Sequence, residues 1–508
     1  MSLAKPRKKD NHKYDENKDL FRTRLMTGRK MILTSETEVT ADNILKIITK
    51  AREVHDLNSS ECDYLWKYRN GVQPILYRIK KGGFDEIVNK IVENRADEIV
   101  NFKVGYYVGE PIQYTSKKDD QTHLDDMKLF NDFMYAVNKS SQDQDIVEWQ
   151  MVCGTAYRLI LPNSNRIMRE YMPFSMFTLD PRDTFIVRSV ETGHKPLVAV
   201  KYYKDETELQ IVHYTCYTRD SVFEITSQNQ IVSVSPNNLG MIPIIEYPAN
   251  NSRTGAFELV LPLLDELNNI DSNRMDGIEQ TIQAFIKFIN CDIDENDFET
   301  FKRMGAIKVQ SSDGRNADVD MVTTDLDQSQ TQTTKEDVYN AILEICGIPS
   351  RTGGASTSDT GAAVILRDGY AMAESRAKVF ENMFKRSEME MLTVALYICK
   401  NTYGVNIDLL PWDIETKFTR RNYENITSKA QVLCEMLNNP KIHPVLAFQS
   451  CGLFPDPEYA YVLSDNYYDE TMAKYEVTET NEDDEDEESL RANRQIAEKN
   501  QSGDNQGV

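Results

Sequence analysis

The sequence predicts an α+β protein with more than one packed region, and three observations support this. Five segments between residues 156 and 227 alternate apolar and polar residues with a period of two, as strands of an antiparallel sheet do. Between residues 255 and 401, apolar residues recur every three or four positions over three long stretches, which indicates helices. The 508 residues, 40% of them hydrophobic, suffice for a large core and exceed one simple domain.

Composition excludes several classes of function. The formal net charge of -23 argues against a protein that coats nucleic acid over its whole surface, because phosphate binding needs clustered Lys and Arg, although local contacts stay possible. The eight cysteines form no CxxC pair and the six histidines show no zinc-ligand spacing, so we predict no metal and no cofactor. Within helical apolar patterns, Cys346, Cys399 and Cys434 are predicted to be small buried residues.

The beginning of the chain lacks the apolar stretch of a secretory signal, so we expect synthesis in a reducing cytosol. No apolar run reaches the roughly 18 residues of a membrane span, and no membrane contact is expected. Residues 1–40 are predicted to be a basic, partly disordered arm, and residues 476–508 an acidic disordered tail that contains EDDEDEE. For both ends, a solubilising role and a specific docking role stay open.

Residues 41–101 are predicted to be helical. Ile44, Ile47 and Ile48 fall on one face, and a later apolar set from Ile87 to Ile99 recurs at spacings near 3.6. The segment VNFKVGYYVGEPIQY (100–114) has a strand-and-turn composition. Two helices are then predicted around DDMKLFNDFMYAVN and QDIVEWQMVCG, before the five strand-like segments.

The second half begins with the strand-like GMIPIIEYPANN and continues into a long predicted helix that reaches Ile289. Its apolar faces, which include Leu264, Leu267 and Phe285, are separated by the polar segment NNIDSNR (268–274). A polar belt within a long helix is typical of places where neighbouring helices or subunits form hydrogen bonds across it. A bend or a break into two helices is the alternative.

Two short strands around the turn SSDGRN are predicted within 301–323, followed by a helix that should end at Gly347 because Pro349 cannot continue it. Residues 350–363, SRTGGASTSDTGAA, form a loop whose small side chains allow close approach to a large ligand. The third long helix, from about 362 to 401, should kink near Gly369. Short helices are predicted around KAQVLCEMLNN, HPVLAFQSCGL and PDPEYAYVLSDNYYDE.

The loop superficially suggests a phosphate-binding element of a nucleotide-dependent enzyme, which is one alternative function. However, no Gly-Lys-Ser/Thr follows GGASTSDTG at the required spacing, and a helix with Pro349 replaces the preceding strand. GxSxG is absent, and no Ser, His and Asp set is indicated locally. We therefore predict no catalytic residues and no enzymatic activity.

The order of these elements resembles the portal (connector) proteins of tailed bacteriophages, which are divided into wing, stem, clip and crown. The resemblance covers roughly residues 40–470, and it is carried by GYYVGEPIQY, GMIPIIEYPANN, NNIDSNRMDGIEQ and GIPSRTGGASTSDTGAAVILR. It implies a portal fold with a mixed α/β wing, a long-helix stem, a small α/β clip and a helical crown, assembled as a ring. Another phage head-tail connector or a capsid structural protein is the second alternative.

The resemblance also implies a division of the chain. The parts are the arm (1–40), the wing (41–254), stem helix 1 (255–289), the clip (290–326), stem helix 2 (327–348), the tunnel loop (349–361), the kinked tunnel helix with a return to the wing (362–420), the crown (421–475) and the acidic tail (476–508).

Site residues follow from the same resemblance. The DNA-facing tunnel loop would contain Ser350, Arg351, Thr352, Gly353, Gly354, Ser356, Thr357 and Ser358. Lys302, Arg303, Lys308 and Arg315 of the clip would face DNA or a docking protein, and an ion pair is the alternative for Arg351. The implied partners are further copies in a ring of typically twelve, double-stranded DNA, the terminase large subunit, head-tail adaptors, and the major capsid and scaffolding proteins. The implied location is the capsid vertex of the virion, after assembly in the host cytoplasm.

Overall fold

The computed structural model describes residues 28–79, 87–118, 120–165, 167–205, 211–282, 285–289, 318–322, 329–349, 370–420, 426–454 and 457–469. They form two compact units, of which the first contains the described residues up to 420 and the second those from 426 onward.

In chain order the strands and helices are β1 (Ile32–Thr34), α1 (Ile44–Arg69), α2 (Arg95–Val108), β2 (Gln113–Ser116), α3 (Gln121–Ala136), α4 (Lys139–Cys153), β3 (Thr155–Pro162), β4 (Phe174–Leu179), β5 (Thr184–Ser189), β6 (Pro196–Lys204), β7 (Val212–Thr218), β8 (Ser221–Thr226), β9 (Gln230–Pro236), β10 (Ile244–Pro248), α5 (Leu261–Ile282), β11 (Phe285–Ile289), β12 (Asp318–Val322), α6 (Ser329–Cys346), α7 (Tyr370–Lys400), β13 (Ile414–Lys417), α8 (Ile426–Leu437) and α9 (Pro444–Cys451).

The alternating segments form sheets, as predicted, and the fold is mixed α and β. A six-stranded sheet has the order β1-β5-β6-β7-β8-β9, in which β1 runs parallel to β5 and the other pairs are antiparallel. Helix α1 covers this sheet, because Ile44 and Ile48 share a buried cluster with Phe185 and Val200. The first predicted strand, β3, belongs instead to a separate sheet of order β10-β3-β4.

Two local predictions within residues 87–108 are wrong. Residues 100–108, the first part of the predicted strand-and-turn segment, are helical and continue α2, because Ile99, Val100, Tyr107 and Val108 recur on one buried face that packs into the main core. Conversely, residues 87–94 are not helical, although their apolar spacing suggested a helix. They are held by polar side chains of α5, as described below.

The beginning of the described chain is more ordered than an arm. Strand β1 falls within residues 1–40, and Arg29 is only 4% exposed. Residues 1–27 and the acidic tail lie outside the described residues.

The predicted helix through Ile289 ends earlier, at Ile282. Residues Phe285–Ile289 instead form β11, which pairs antiparallel with β12 (Asp318–Val322) over all five positions. The aromatic and β-branched content of FIKFI favours a strand once a partner strand is available. The predicted strand at 318–322 is thus confirmed, whereas the SSDGRN turn lies outside the described residues.

The other two long helices follow the prediction. Helix α6 ends at Cys346, directly before Gly347, whose φ of 68° is the left-handed conformation expected at a helix end. Helix α7 continues to Lys400, and its buried face includes the predicted Phe380, Phe384 and Met391. The proposed kink at Gly369 lies outside the described residues.

The second unit contains the predicted short helices α8 and α9, and residues 457–469 are also helical. Phe448 of α9 stacks on Phe454 and contacts the ring of Tyr461, with centroid distances of 5.4 and 5.9 Å. Cys434 on α8 is exposed, contrary to the prediction, whereas Cys346 and Cys399 are buried.

Candidate functional site

The candidate site is the helical framework around the predicted tunnel loop, formed by α5, α6 and the first turns of α7. Outside the described residues lie Ser350, Arg351, Thr352, Gly353, Gly354, Ser356, Thr357, Ser358, Lys302, Arg303, Lys308, Arg315 and Gly369.

The end of α6, from which the loop departs, is fixed by Gly347 and Arg376. The guanidinium of Arg376, on α7, donates to the carbonyl oxygens of Ile345 at 2.7 Å and Glu344 at 3.4 Å. A cation here satisfies carbonyls that have no partner within the helix. A Cβ atom at Gly347 would lie 2.5 Å from Cδ of Arg376, so only glycine fits without displacing this contact. The direction of the chain after α6 is thereby set.

Helices α5 and α6 pack side by side in opposite directions. Arg274 on α5 donates to Oε1 of Gln332 at 2.9 Å, and Lys335 lies 2.9 Å from Oδ1 of Asp271. At the other end of α6, the thiol of Cys346 lies 3.6 Å from the carbonyl oxygen of Ala256, just before α5. The pair therefore spans from β11 and β12 at one end to the start of the loop at the other.

The polar middle of α5 binds an extended segment of the same chain. Asn268, Ser272 and Asp276 are almost fully buried. Their side-chain oxygens accept hydrogen bonds from the backbone N–H groups at 93, 91 and 89 respectively, at 2.8, 3.0 and 2.7 Å. We call these three contacts the polar ladder.

The polar ladder can form because the axial spacing of every fourth residue of α5 matches that of every second residue of the extended segment. Four residues along an α-helix advance about 6 Å, and two residues along an extended chain advance about 6.6 Å. Every fourth residue of α5 therefore meets every second N–H group of residues 89–93, with the two segments running in opposite directions. The polar belt was visible in the sequence, but its partner is mainly this segment, and α5 is continuous through it.

Lys335 on α6 joins the ladder to the helix pair. Its ammonium lies 2.9 Å from carboxylate oxygens of both Glu93 and Asp271. Burial alone would raise the pKa of Glu93, but the hydrogen bond with Asp271 and the cations Lys335 and Arg95 lower it to about 2. Burial and the neighbouring Glu93 raise the pKa of Asp271. One cation thus holds two carboxyl groups together.

The charge of the two helices is mainly negative. Helix α5 contains five acidic residues and one basic residue, and α6 contains three acidic residues and one basic residue. The basic members, Arg274 and Lys335, both make the contacts between the helices described above.

Helix α7 is anchored by a buried ionic cluster that the sequence did not reveal. Glu388 is fully buried and lies 3.2 Å from both Arg158 of β3 and Lys139 of α4. Asp143 binds the same two cations, so two positive charges face two negative charges. The hydroxyl of Tyr247 also donates to Glu388, at 2.8 Å. No local pattern predicts the cluster, because Glu388 of α7 lies far along the chain from its partners on α4, β3 and β10.

The environment of this cluster shifts the pKa values of its members. Burial, together with the nearby carboxylate of Glu388, raises the pKa values of Tyr114 and Tyr247 well above the ordinary value, so both remain donors. Burial would lower the pKa of Arg158, but Tyr247, Asp143 and Glu388 raise it.

A second buried ionic group fixes the start of α5. Arg29 lies 3.0 Å from Glu61 of α1 and also forms an ion pair with Glu258. The other carboxylate oxygen of Glu258 accepts from the backbone N–H of Gly255 at 2.9 Å. The N-terminal end of α5 is therefore tied to α1.

Within the described residues, no group of three or more His, Cys, Asp or Glu side chains is placed to hold a metal ion. Among the helices that the structure describes, none is long and apolar enough to cross a membrane.

Comparison with known protein families identifies the chain. The family "Phage portal protein, SPP1 Gp6-like" matches residues 13–492. The chain belongs to this family. The portal family is a structural one, and membership gives the chain a portal or connector role at the capsid vertex.

Two solved structures that resemble this portal family member are necks of GTA particles. The neck of an empty particle, computed with C6 symmetry, is 10% identical, covers 71% of this chain and 90% of its own, and has a TM-score of 0.41. The neck of a native particle, computed with C12 symmetry, is 11% identical, covers 72% and 92%, and has a TM-score of 0.42. No curated protein matches the sequence.

Proposed function

We propose that this portal family member forms a ring, of twelve subunits in the capsid, whose axial channel passes double-stranded DNA during packaging and ejection. The observation that carries the proposal is the antiparallel pair of α5 and α6, fixed along its length and ending at the small-residue loop. Repeated around an axis, such pairs would form the wall of a channel, and each loop would reach toward its centre. Ring closure requires an interface in which each subunit presents two different surfaces.

The charge of the helix pair supports passage of DNA without tight binding. Each Lys or Arg that neutralises a phosphate adds salt-dependent affinity. The two described basic side chains of α5 and α6 are engaged between the helices, and acidic residues outnumber them. A wall of this composition would let the duplex slide, with transient contacts left to the loop residues around Arg351.

We assign the parts of the portal fold to the described elements. The sheets and helices of 41–254 are the wing, α5 and α6 are the two stem helices, and β11 with β12 is the stem side of the clip. Helix α7 is the tunnel helix, and the second unit, with α8 and α9, is the crown.

Docking partners follow from this assignment. The clip would bind the terminase large subunit during packaging and head-tail adaptors afterwards, through residues such as Lys302 and Arg315. The wing would contact the major capsid and scaffolding proteins while the head assembles in the host cytoplasm. We propose that the protein itself is not an enzyme and that the packaging motor supplies ATP hydrolysis.

The first experiment tests the ring. Twelve copies of the 58.4 kDa chain amount to about 700 kDa. Light scattering on the purified protein should give this mass or that of a ring with a similar subunit number, and electron microscopy should show an axial hole. A protein that is monomeric at every concentration tried would contradict the proposed ring. ATP turnover by the purified chain would contradict the proposal that the protein is not an enzyme.

The second experiment tests the loop. Deletion of Gly353–Ser358 should leave the ring intact but reduce the DNA packaged per particle. The matched control deletes six residues of the acidic tail, 500–505. Normal packaging by the loop deletion would contradict the DNA-facing role.

A further inference from the structure

Helix α7 presents an exposed stripe to solvent along most of its length. Met372, Val379, Met389 and Tyr397 are 50%, 66%, 40% and 39% exposed. Together with the exposed positions 375, 382, 386, 393 and 400 they recur every three or four residues, which places them on one side of the helix. We call this side the α7 stripe. The α7 stripe thus combines four exposed apolar side chains with the basic residues Arg386 and Lys400.

The opposite side of α7 is held firmly, so the stripe has a fixed orientation. Ala377, Phe384 and Met391 lie in the main core, and Glu388 belongs to the buried ionic cluster. Rotation of the helix to hide the stripe would expose these residues.

The exposed charges of α7 are predominantly positive. Glu390 is the only exposed acidic residue along the described helix. The exposed basic residues are Arg376, Lys378, Arg386 and Lys400.

The outer side of α6 has the complementary character. Glu336, Asp337 and Glu344 are exposed, and no exposed Lys or Arg accompanies them along this helix, which is described from end to end. Ile345, beside Glu344, is 47% exposed and adds an apolar side chain to the same end. The exposed side chains of α7 thus carry a net charge of +3, and the exposed side chains of α6 carry a net charge of −3.

We propose that the α7 stripe of one subunit docks on the acidic outer side of α6 in a neighbouring copy of the same chain. This inference rests on the proposed ring and names the two different surfaces that its closure requires. Apolar contact of Met372 and Val379 with Ile345 supplies the desolvated centre, and Arg386 and Lys378 face Asp337 and Glu344. Opposite charges on the two surfaces fix the order of subunits, because two α6 surfaces or two α7 stripes repel each other.

A photo-crosslinking experiment tests the contact. Val379 is replaced by benzoylphenylalanine, and rings are reassembled from equal amounts of 15N-labelled and unlabelled chains. The expected product joins position 379 to a peptide within 329–346, with mixed-isotope pairs as frequent as same-isotope pairs. The matched control places benzoylphenylalanine at Leu124, an exposed residue of α3, and should yield no crosslink to 329–346.

The outcomes separate the inference from the proposed function. Rings whose crosslinks from position 379 map elsewhere, or join only chains of the same isotope, overturn the interface and leave the ring standing. Absence of any ring from the wild-type chain overturns the proposed function and this inference with it.

A charge exchange provides a second test without a probe. Arg386→Glu and Asp337→Lys should each raise the protein concentration needed for half-maximal ring assembly by about threefold to tenfold, and the double variant should restore it toward the wild-type value. Unchanged melting of the single variants, followed by circular dichroism, separates lost assembly from lost folding. A double variant no better than the worse single variant overturns the pairing of these surfaces.

Discussion

Asn268 and Glu93 are joined by a partly buried hydrogen bond, in which the side-chain oxygen of Asn268 accepts from the backbone N–H of Glu93 at 2.8 Å. The amide of Asn268 also donates to Gln73 at 2.6 Å. A single side chain therefore connects α5 both to the extended segment 87–94 and to Gln73, which follows α1 in the chain.

Substitution Asn268→Ala should lower the free energy of unfolding by about 3 kcal/mol, because two buried polar groups lose their partner. Asn269→Ala provides the matched control on the same helix. Asn269 is half-buried and makes a long contact of 3.4 Å with Glu266, so its loss should change stability by less than about 0.5 kcal/mol. Urea unfolding followed by circular dichroism measures both. Equal effects of the two variants would contradict the importance of the polar ladder.

Substitution Glu388→Gln should be more damaging, by about 3–5 kcal/mol, because it leaves Arg158 and Lys139 with one buried counter-charge instead of two. Glu390→Gln, two positions further along α7 and exposed, should have little effect. Thermal unfolding compares the two variants. A Glu388→Gln protein that melts with the wild type would show that the cluster is not a major source of stability.

His55 should make stability depend on pH. Burial lowers its pKa from 6.5 to about 3, although its hydrogen bond to the carbonyl of Arg182 opposes the shift. As the pH falls below 6.5 the unfolded chain takes up this proton first, so stability falls by about 1.4 kcal/mol per pH unit until the pH approaches 3.

The measurement is the difference in unfolding free energy between the wild type and His55→Phe at pH 7.5, 6.5, 5.5 and 4.5. Phenylalanine keeps the ring contact with Phe185 but cannot titrate. The advantage of the wild type should be constant above pH 6.5 and shrink below it. A packing control, Phe223→Leu in the buried cluster that also contains Phe185, should differ from the wild type by the same amount at every pH. A parallel result for His55→Phe would contradict the assignment.

Gly347→Ala should destabilise the end of α6 through two separate effects. Positive φ costs a non-glycine residue about 1–2 kcal/mol, and the new Cβ would displace Arg376 from the two carbonyls that it binds. Gly71→Ala isolates the first effect, since its φ is +86° and nothing lies within 4 Å of the added Cβ. Gly347→Ala should therefore cost about 1 kcal/mol more than Gly71→Ala.

Combination with Arg376→Ala tests the mechanism of the second effect. In that background, Gly347→Ala should cost no more than Gly71→Ala, because there is no guanidinium left to displace. Thermal unfolding of the wild type, the three single variants and the double variant provides the comparison. If Gly347→Ala still costs more than Gly71→Ala in the Arg376→Ala background, the extra cost arises in the backbone and not from the contact with Arg376.

The elements that the sequence predicted correctly are those whose pattern is local and long. The buried apolar face of α7 and the end of α6 at Gly347 depend on residues close together in the chain, and both are confirmed. The predictions that failed concern segments whose structure depends on contacts with residues distant in sequence. Residues 87–94 contain helix-compatible apolar spacing, yet Asn268, Ser272 and Asp276 hold them extended. Phe285–Ile289 continues the helical pattern of α5 but pairs with β12.

The candidate site divides in the same way. The polar segment 268–274 predicted hydrogen bonds with neighbouring helices or subunits, and it contains Asn268 and Ser272. The sequence did not single out Asp276 or the segment 87–94 that binds all three side chains. The partners of Glu388 lie far away in sequence, 141 positions for Tyr247 and 230 for Arg158, so no local pattern contains them. The loop and clip residues named from the resemblance remain predictions.

Matching periodicity also restricts how the segment 87–94 can move against α5. A slide of one residue, about 3.3 Å, would leave the N–H groups of Asn89, Ile91 and Glu93 midway between the three acceptors and would break all three hydrogen bonds. The contact between α5 and the segment 87–94 is therefore either intact, so that a force along α5 is transmitted to the segment, or completely broken. A mechanical force on one end of α5 would therefore be transmitted to the sheets of the first compact unit either in full or not at all.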